Sequence, residues 1–421
     1  MTQLGDFFHA ANQNKLNASG TDPDLFSGRN DTDFPIRIIT TPEALGTACQ
    51  ALTKHPELAF DLEFDDMRYF YGRTLSLVQV FDGETVFIID AVTLKNIDPL
   101  LRIFEDARLV KIFHSSWNDL MVLSEVYGCQ VKNVIDTSIL YRMLGHSENS
   151  ISLKNLIKHY VDIDLEKDEQ ASNWITRPLS DAQVLYAAKD VIYLHRVKHL
   201  LQQELEADNR WEWALEECKG LEKIKYVGSP EPYLKLAQKN RIYSHLLPRF
   251  AEVWYFRENM AKKMNRPPFQ LFPNDILCEL VRNPARTLEK WETFRGIHPA
   301  MRRENNIAQL ASLTAEEMPQ PKISFRETEN RIRAFERSQV DPKAFLRQER
   351  KHLLAKVREV LVPVYGLPIV NLFLSEKLMP EVADLGTEKV LKAWQNKLVR
   401  EACENNDLEY SLISFSLYYV Y

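Results

Sequence analysis

The stretch LAFDLEF, residues 58–64, is an apolar run of strand-forming residues that carries two acids. Two similar runs follow, LSLVQVF (75–81) and ETVFIID (84–90), and Asp82-Gly83 between them is a hairpin signal. Two later runs, each followed by a helical stretch, also read as strands: LVKIF (109–113) and VKNVI (131–135). Antiparallel strands followed by β-α-β-α units predict an α/β domain with a mixed sheet flanked by helices.

The rest of the chain divides around this domain. We predict a mobile extension over residues 1–34, which are rich in Asn, Asp, Ser and Gly, and place the α/β domain at 35–210. A linker is expected at 211–230. Two helical blocks broken by prolines are expected at 231–315 and 325–421.

Capping residues mark two helix starts within the α/β domain. Thr41-Pro42 supplies a cap and a first-turn proline for a helix that should run to about His55. Ser180 and Gln183 form a capping box, which should open one long helix to about Leu205.

The bulk composition is that of an intracellular globular protein. Among 421 residues, 45% are hydrophobic and 27% are charged, and the chain has neither a secretory signal nor an apolar run long enough to cross a membrane. The five cysteines are widely spaced and form no CxxC pair, which argues against a zinc site or a disulfide framework. We therefore expect a cytoplasmic protein that needs neither a membrane nor a protein partner.

The net charge of −6 conceals an asymmetry. Residues 235–303 contain 14 Lys and Arg against 6 Asp and Glu, which gives 14 − 6 = +8 and leaves −14 for the remainder. An acidic body joined to a basic module suits an enzyme that acts on a polyanion, although solvated helices would show the same charges.

Asp61 and Glu63 stand at i and i+2 of the first strand, so both point to the same face. Burying two acids there requires a partner cation, either a basic side chain or a metal. A solvated edge strand is the alternative.

The segment KIFHSSWNDLMVL (111–123) supplies a third acid. His114 ends a strand and Asp119 lies in the first turn of the next helix, at the edge of an α/β sheet where sites form. Asp119 could equally be a favourable helix N-terminal charge, and His114 is more commonly a satisfied polar residue at a strand end.

The segment YAAKDVIYL (186–194) supplies the fourth acid. Tyr186 and Asp190 are at i and i+4 on one helix face, which Tyr193 continues, and Ala187-Ala188 would let this helix approach the sheet closely. An exposed acid on an ordinary helix is the alternative.

In this order the motifs resemble the DEDD exonuclease superfamily in its tyrosine-bearing branch, and within it the ribonuclease D family. The D-x-E pair, Asp119 and the Y-x-x-x-D pair match its three exonuclease motifs, and the resemblance covers residues 36–205. Further resembling segments are FDLEF, YFYGRTLSLVQVFDG, KIFHSSWNDL, VIDTSILYRMLG and SNWITRPLSDAQVLYAAKDVIYL. The resemblance implies a ribonuclease H-like mixed sheet, as in DnaQ-like exonuclease domains. Leu62 departs from the family, which commonly has a small polar residue there, but it should face away from the site.

Residues 235–315 resemble an HRDC module through WYFRENMAKKMNRPP, the FPNDILCELVRNP run and FRGIHPAMRRENN. Residues 325–421 resemble a second, divergent HRDC-like unit. One or two all-α HRDC-like domains should therefore follow the nuclease domain.

The family chemistry implies two divalent ions, Mg²⁺ or Mn²⁺, which clamp the attacking and leaving oxygens of a phosphodiester. Asp61 should bridge both ions, Glu63 and Asp190 should hold the ion on the nucleophile side, and Asp119 should act on the other through water. Tyr186 should orient the attacking water, because a phenol is a poor base at neutral pH. Without cations these acids should be partly protonated.

Candidate substrate contacts complete the sequence-based site. Gln79 and Lys167 match family positions near the substrate, and His114 is a further candidate. Arg302 and Arg303 are the best candidates in the basic module for contacts with RNA phosphates.

The resemblance implies a 3′–5′ exoribonuclease that releases nucleoside 5′-monophosphates and trims the 3′ ends of tRNA precursors and other small structured RNAs. A single-stranded DNA 3′–5′ exonuclease in repair is an alternative, although the chain has no P-loop or polymerase signature. A non-catalytic RNA-binding protein is another, which the presence of all four acids and the tyrosine disfavours.

Overall fold

The computed structural model describes most of the chain. The described residues are 34–146, 151–165, 169, 171–284, 290, 293–314 and 344–414. The predicted N-terminal extension, apart from Phe34, and the candidate Lys167 therefore lie outside the described residues.

A six-stranded mixed sheet forms the centre of the N-terminal domain. Its strands are β1 (Ile36–Ile39), β2 (Glu57–Asp66), β3 (Arg73–Phe81), β4 (Val86–Asp90), β5 (Val110–Phe113) and β6 (Val134–Asp136). Their spatial order is β1-β4-β3-β2-β5-β6. β3 runs antiparallel to β2 and β4, and the other pairs are parallel. The mixed sheet expected from the sequence is confirmed, and the hairpin turn lies between Phe81 and Val86.

Helices cover both faces of this sheet. They are α1 (Pro42–Leu52), α2 (Ala91–Leu94), α3 (Asp98–Glu105), α4 (Trp117–Tyr127), α5 (Thr137–Met143), α6 (Leu153–Val161), α7 (Asp181–Ile192), α8 (Leu194–Ala207) and α9 (Trp211–Lys219). Residues of β2 alternate between two apolar cores: Phe60 and Leu62 pack with α1 and α3, whereas Ala59 packs with α7 and α8. Asp61 and Glu63 share the face of Ala59, so the acids point toward α7.

Both predicted helix starts are confirmed, but one helix is divided. Thr41 caps α1, and Ser180 and Gln183 form the reciprocal capping box of α7. The single helix expected from there to about Leu205 is instead α7 followed by α8, which meet at Tyr193. α7 packs across β2, β3 and β4, whereas α8 packs against β5, β2 and α5. Because the sheet twists, two helix segments follow these different surfaces where one straight helix would not.

The linker expected at 211–230 is largely wrong. α9 and a 3-10 turn (Gly220–Lys223) occupy its first part, and Ala214 and Cys218 of α9 are buried in the core of the sheet domain. The Glu222 carboxylate accepts a hydrogen bond from the Asn133 backbone at 3.1 Å. The sheet domain thus continues to about residue 223, because the buried side of α9 is part of its core. Residues 224–233 contain no helix or strand.

Two helical units follow. The first contains α10 (Leu234–Lys239), α11 (Leu247–Met264), α12 (Pro268–Leu271), α13 (Asn274–Arg282) and α14 (Glu304–Leu313), with 3-10 turns at Ser244–Leu246 and Pro299–Arg302. The second contains α15 (Ala344–Tyr365), α16 (Leu367–Leu374), α17 (Met379–Leu385), α18 (Thr387–Val390), α19 (Ala393–Glu404) and α20 (Ser411–Ser414). No helix in the described ranges is long and apolar enough for a bilayer crossing.

The two units differ in how they join the sheet domain. The first has its own apolar core. The second shares the core of α5 to α9: Trp213 of α9 stacks on Trp394 of α19 with ring centroids 4.9 Å apart. Lys392 and Glu217 add an ion pair at 2.7 Å. The second unit is therefore an integral part of the nuclease-domain surface.

Candidate active site

Three carboxylates converge between β2 and α7. One oxygen each from Asp61, Glu63 and Asp190 lies within 4.8 Å of the others. The register of β2 against β3 shifts between Glu63 and Phe64, so a bulge follows the acidic pair. Bulges of this kind commonly re-aim side chains beside active sites.

The sequence of α7 explains how Asp190 reaches the sheet. Ala187 and Ala188 are buried against it, and their small side chains allow the helix to lie close to β2 and β3. Asp190 follows Ala187 by three residues, so it shares that face of the helix. A bulkier residue at either alanine would move Asp190 away from the β2 acids.

Asp119 is positioned by the turn before α4, which Asp136 holds in place. It lies buried in the first turn of α4, outside the group of three. The turn before it is fixed by Asp136 at the end of β6, whose carboxylate accepts hydrogen bonds from the backbone amides of Ser115 and Ser116 at 3.0 and 2.8 Å. Burial raises the pKa of Asp119 well above its usual range, and the charges of Asp61 and Asp136 raise it further. Asp119 is thus electrostatically coupled to the cluster.

Burial and mutual repulsion disfavour ionisation of the acids in this cluster. Burial raises the pKa of Asp61 to about 7 and, with the charge of Asp61, the pKa of Asp190 to about 8. The pKa of Glu63 rises to about 10 through burial and the charges of Asp61, Asp190 and Asp119. Within the described ranges no Lys or Arg forms an ion pair with any of the four acids. Four unpaired acids with hard oxygen donors fit a divalent cation.

Tyr186 lies beside the acids, one helical turn before Asp190. Burial raises its pKa, and the charges of Asp190, Glu63 and Asp61 raise it further, so the phenol stays protonated at neutral pH. Its ring packs against Trp174 with centroids 5.9 Å apart. The hydroxyl therefore keeps its proton and can donate a hydrogen bond.

A buried ion pair behind Tyr186 escaped the sequence analysis. The Arg177 guanidinium donates to both carboxylate oxygens of Asp90, at 2.6 and 2.8 Å, and to the Trp174 carbonyl at 2.6 Å. Ser76 on β3 also donates to that carbonyl. These bonds fix Trp174 to the sheet and thereby support the Tyr186 ring. The available signal was Arg177 in the segment SNWITRP, but its partner is 87 residues away in sequence.

Gln79 occupies the position directly opposite Asp61 across β2 and β3. Its side chain is fully buried, and neither its amide nitrogen nor its oxygen has a hydrogen-bond partner within the described residues. A buried amide without partners is costly. Gln79 therefore shares a face of the sheet with Asp61, and its amide forms no hydrogen bond within the described residues.

The structure favours the structural role of His114 over a substrate contact. One ring nitrogen lies 2.9 Å from the Thr137 hydroxyl and the other 3.0 Å from the Ile151 carbonyl. Burial lowers its pKa, so the ring is neutral. Both ring nitrogens are engaged within the protein, which fits the structural role, and a substrate contact of His114 stays a prediction. Leu62, by contrast, is buried in the core on the opposite face, as expected.

Arg302 and Arg303 lie in the first helical unit, around the 3-10 turn at Pro299–Arg302. Both are exposed, and Arg302 donates to the Phe294 carbonyl at 2.7 Å. They belong to the basic module and not to the acidic cluster.

Comparison with known proteins places this cleft in a family. Residues 36–206 match a family model described as 3′-5′ exonuclease. A ribonuclease D from Pseudomonas paraeruginosa is 30% identical over 295 residues, which are 68% of this chain and 77% of that protein. A ribonuclease D from Haemophilus influenzae is 29% identical over 282 residues, 66% of this chain and 70% of that protein.

The fold agrees. The crystal structure of Escherichia coli RNase D superposes with a TM-score of 0.62 at 23% identity and covers 88% of this chain and 98% of its own. The catalytic core of RRP6 from Trypanosoma brucei superposes with a TM-score of 0.59 at 23% identity and covers 67% of this chain and 79% of its own. The chain therefore belongs to the ribonuclease D family and is a 3′–5′ exoribonuclease.

Proposed function

We propose that the chain trims the 3′ ends of tRNA precursors and other small structured RNAs, one nucleotide at a time, at the acidic cleft. The observation that carries this proposal is the convergence of Asp61, Glu63 and Asp190 within 4.8 Å, with no basic partner among the described residues. The similar RNase D of Escherichia coli is described as an exoribonuclease involved in structured RNA processing, which supports the substrate class.

Two Mg²⁺ or Mn²⁺ ions fit the donor set and, when bound, supply the positive charge that the attacking and leaving oxygens need. Asp61 would hold both ions, Glu63 and Asp190 would hold the ion on the nucleophile side, and Asp119 would act on the other through water. The separate position of Asp119, outside the group of three, supports a contact through water.

Two neutral groups act directly on the reacting atoms in this proposal. Tyr186 orients the attacking water through its hydroxyl, since its raised pKa makes it a poor base. Gln79 offers its amide beside Asp61, where a substrate or water oxygen would satisfy it. Trp174 and Arg177 keep the Tyr186 ring in place.

We also propose that both helical units are HRDC-like domains, the first at residues 231–315 and the second at residues 325–421. Arg302 and Arg303 contact RNA phosphates from exposed positions. Arg257 does not, because it is buried and donates to the Phe272 carbonyl and the Asn274 side chain. The candidate Lys167 remains an expectation from the sequence.

We assign the protein to the reducing cytoplasm. Its five cysteines are all buried as free thiols, and burial raises the pKa of Cys49 and Cys403 to about 11. Such thiols are inert and form no covalent framework. The proposed activity requires RNA and no membrane or protein partner.

The test is digestion of a 3′-extended tRNA precursor by the purified chain in Mg²⁺, read on a sizing gel beside a single-stranded DNA of matched sequence. We expect stepwise shortening of the RNA and little loss of the DNA, with Asp190→Ala as the inactive control. Preferential loss of the DNA would favour the repair exonuclease. Tight RNA binding without shortening would favour a non-catalytic binding protein.

A further inference from the structure

A second polar cavity lies between the nuclease domain and the second helical unit. Its volume is about 570 Å³. It is lined by Arg142 at the end of α5, by Arg358 of α15, and by residues of α16 and of the segment that follows it. α5 begins next to Asp136, which holds the turn before Asp119, and runs to Met143 about 10 Å away. Arg142 therefore lies at the end of α5 that points away from the catalytic edge.

The side chains around this cavity have an excess of positive charge. Arg142, Arg358 and Lys377 oppose a single carboxylate, that of Glu376. Glu376 and Lys377 are exposed at the mouth, whereas both arginines are partly buried. The local charge balance is 3 − 1 = +2 in a body that is acidic as a whole.

Neither arginine has an anionic partner in the part of the chain that the structure describes. The Nε atoms of Arg142 and Arg358 are buried and make no hydrogen bond within the described residues. Arg358 has one contact, from Nη2 to the Asn371 side chain at 3.0 Å, and neither arginine forms an ion pair there. Holding two guanidinium groups in a half-buried cavity is costly without an anion.

The chemistry of the lining selects the ligand. Planar guanidinium groups match the oxygens of a phosphate with paired hydrogen bonds. Asn371 and Ser375 add neutral polar groups. The volume exceeds what a bare phosphate fills and falls within the range of roughly 300–1,000 Å³ typical of small-molecule sites.

We propose that this cavity binds the phosphate group of a nucleotide, at a site separate from the catalytic cleft. The phosphate comes either from a free nucleoside monophosphate or from the backbone of a bound RNA. In both cases Arg142 and Arg358 contact the phosphate oxygens, and the ligand joins the nuclease domain to the second helical unit.

The test measures binding in EDTA, where the catalytic carboxylates carry no divalent ion and disfavour anions. Adenosine 5′-monophosphate is titrated by calorimetry, and a fluorescent single-stranded RNA by anisotropy. The proteins are wild type, the double variant Arg142→Gln/Arg358→Gln, and the control Lys351→Gln/Lys356→Gln. The control removes the same charge from exposed positions on α15.

We expect the arginine variant to bind one of the two probes at least about tenfold more weakly, since two charged hydrogen-bonding groups are lost. Loss for the mononucleotide alone identifies a free nucleotide as ligand, and loss for the RNA identifies the backbone. Wild-type affinity for both probes, or an equal loss in the lysine control, would overturn the proposal.

A second variant tests the proposal even if the arginine double variant does not fold. Glu376→Gln removes, from an exposed position, the one carboxylate among the described residues that line the cavity. It should tighten binding of the same probe by about two- to fivefold, because a like charge is removed near the ligand. Unchanged or weaker binding in Glu376→Gln would contradict an anion site.

Discussion

Replacing Asp61 with Asn should make the metal-free protein more stable while it abolishes hydrolysis. In the absence of cations, Asp61 adds negative charge to a buried cluster and raises the pKa values of Glu63 and Asp190. Asn is nearly isosteric and neutral, so it removes the repulsion and keeps the packing. It also removes a proposed ligand of both ions.

The magnitude follows from the pKa of Asp61, which rises from 3.8 to about 7. A shift of roughly three units corresponds to about 4 kcal/mol at 1.36 kcal/mol per unit. Because the side chain is partly open to solvent, which screens charge, we expect about half of this, ~2 kcal/mol. For a domain of this size that should raise the melting temperature in EDTA by about 4–8 °C.

The stability gained by Asp61→Asn should increase as the pH rises. The folded pKa values of the acids lie above their unfolded values, so the penalty is absent below the unfolded pKa near 4 and grows as pH rises toward the folded values of about 7 and 8. The melting difference between Asp61→Asn and wild type should therefore be small at about pH 4.5 and largest at about pH 8.

The assay is thermal unfolding in EDTA and in Mg²⁺ across this pH range, with RNA hydrolysis measured on the same samples. Asp208→Asn, at an exposed position after α8, is the matched control and should shift melting by no more than about 1–2 °C. Mg²⁺ should stabilise wild type far more than Asp61→Asn. If Asp61→Asn melts at or below the wild-type temperature in EDTA, Asp61 does not destabilise the metal-free cluster. If the variant still hydrolyses RNA, Asp61 is not an essential metal ligand.

Three further predictions concern the groups around the cluster. Tyr186→Phe should lower kcat by about 10²-fold with little change in the Mg²⁺ concentration required, because only a hydroxyl is lost; a collapse of metal affinity would assign the residue to metal binding. Arg177→Met should lower the free energy of unfolding in urea by about 2–4 kcal/mol, because Asp90 is left buried without its ion-pair partner. Adding Asp90→Asn should recover part of this loss. If nothing is recovered, loss of the ion pair is not the cause. Arg302→Gln with Arg303→Gln should weaken binding of a folded RNA and reduce the salt slope by about two units, and an unchanged slope would exclude both from the RNA interface.

Local patterns predicted much of this structure because they encode local structure. The alternation in FDLEF, the Asp82-Gly83 turn and the Ser180 capping box each specify a conformation within a few residues, and all three form. The same holds for the convergence of Asp61 and Glu63, which requires only strand periodicity. The approach of Asp190 could be anticipated from the small residues beside it.

The features that escaped prediction depend on distant parts of the chain. Arg177 finds Asp90, and His114 is satisfied by a carbonyl 37 residues further on. The division of α7 and α8 at Tyr193 follows the surface on which each helix packs, which no local signal carries. The apolar side of α9 is short and interrupted by acids, so its sequence does not predict a helix that packs in the core. In each case tertiary packing decided the outcome.

A linear RNA with a free 3′ hydroxyl and the same RNA closed into a circle distinguish exonuclease from endonuclease activity. Both are incubated with the purified chain and Mg²⁺, and the products are identified by chromatography. We predict that the linear RNA is converted stepwise from its 3′ end into nucleoside 5′-monophosphates, that the circle resists, and that Asp190→Ala, although folded, releases nothing. Cutting of the circle, nucleoside 3′-monophosphates as products, or near-normal turnover by Asp190→Ala would contradict a 3′–5′ exonuclease reaction that depends on Asp190.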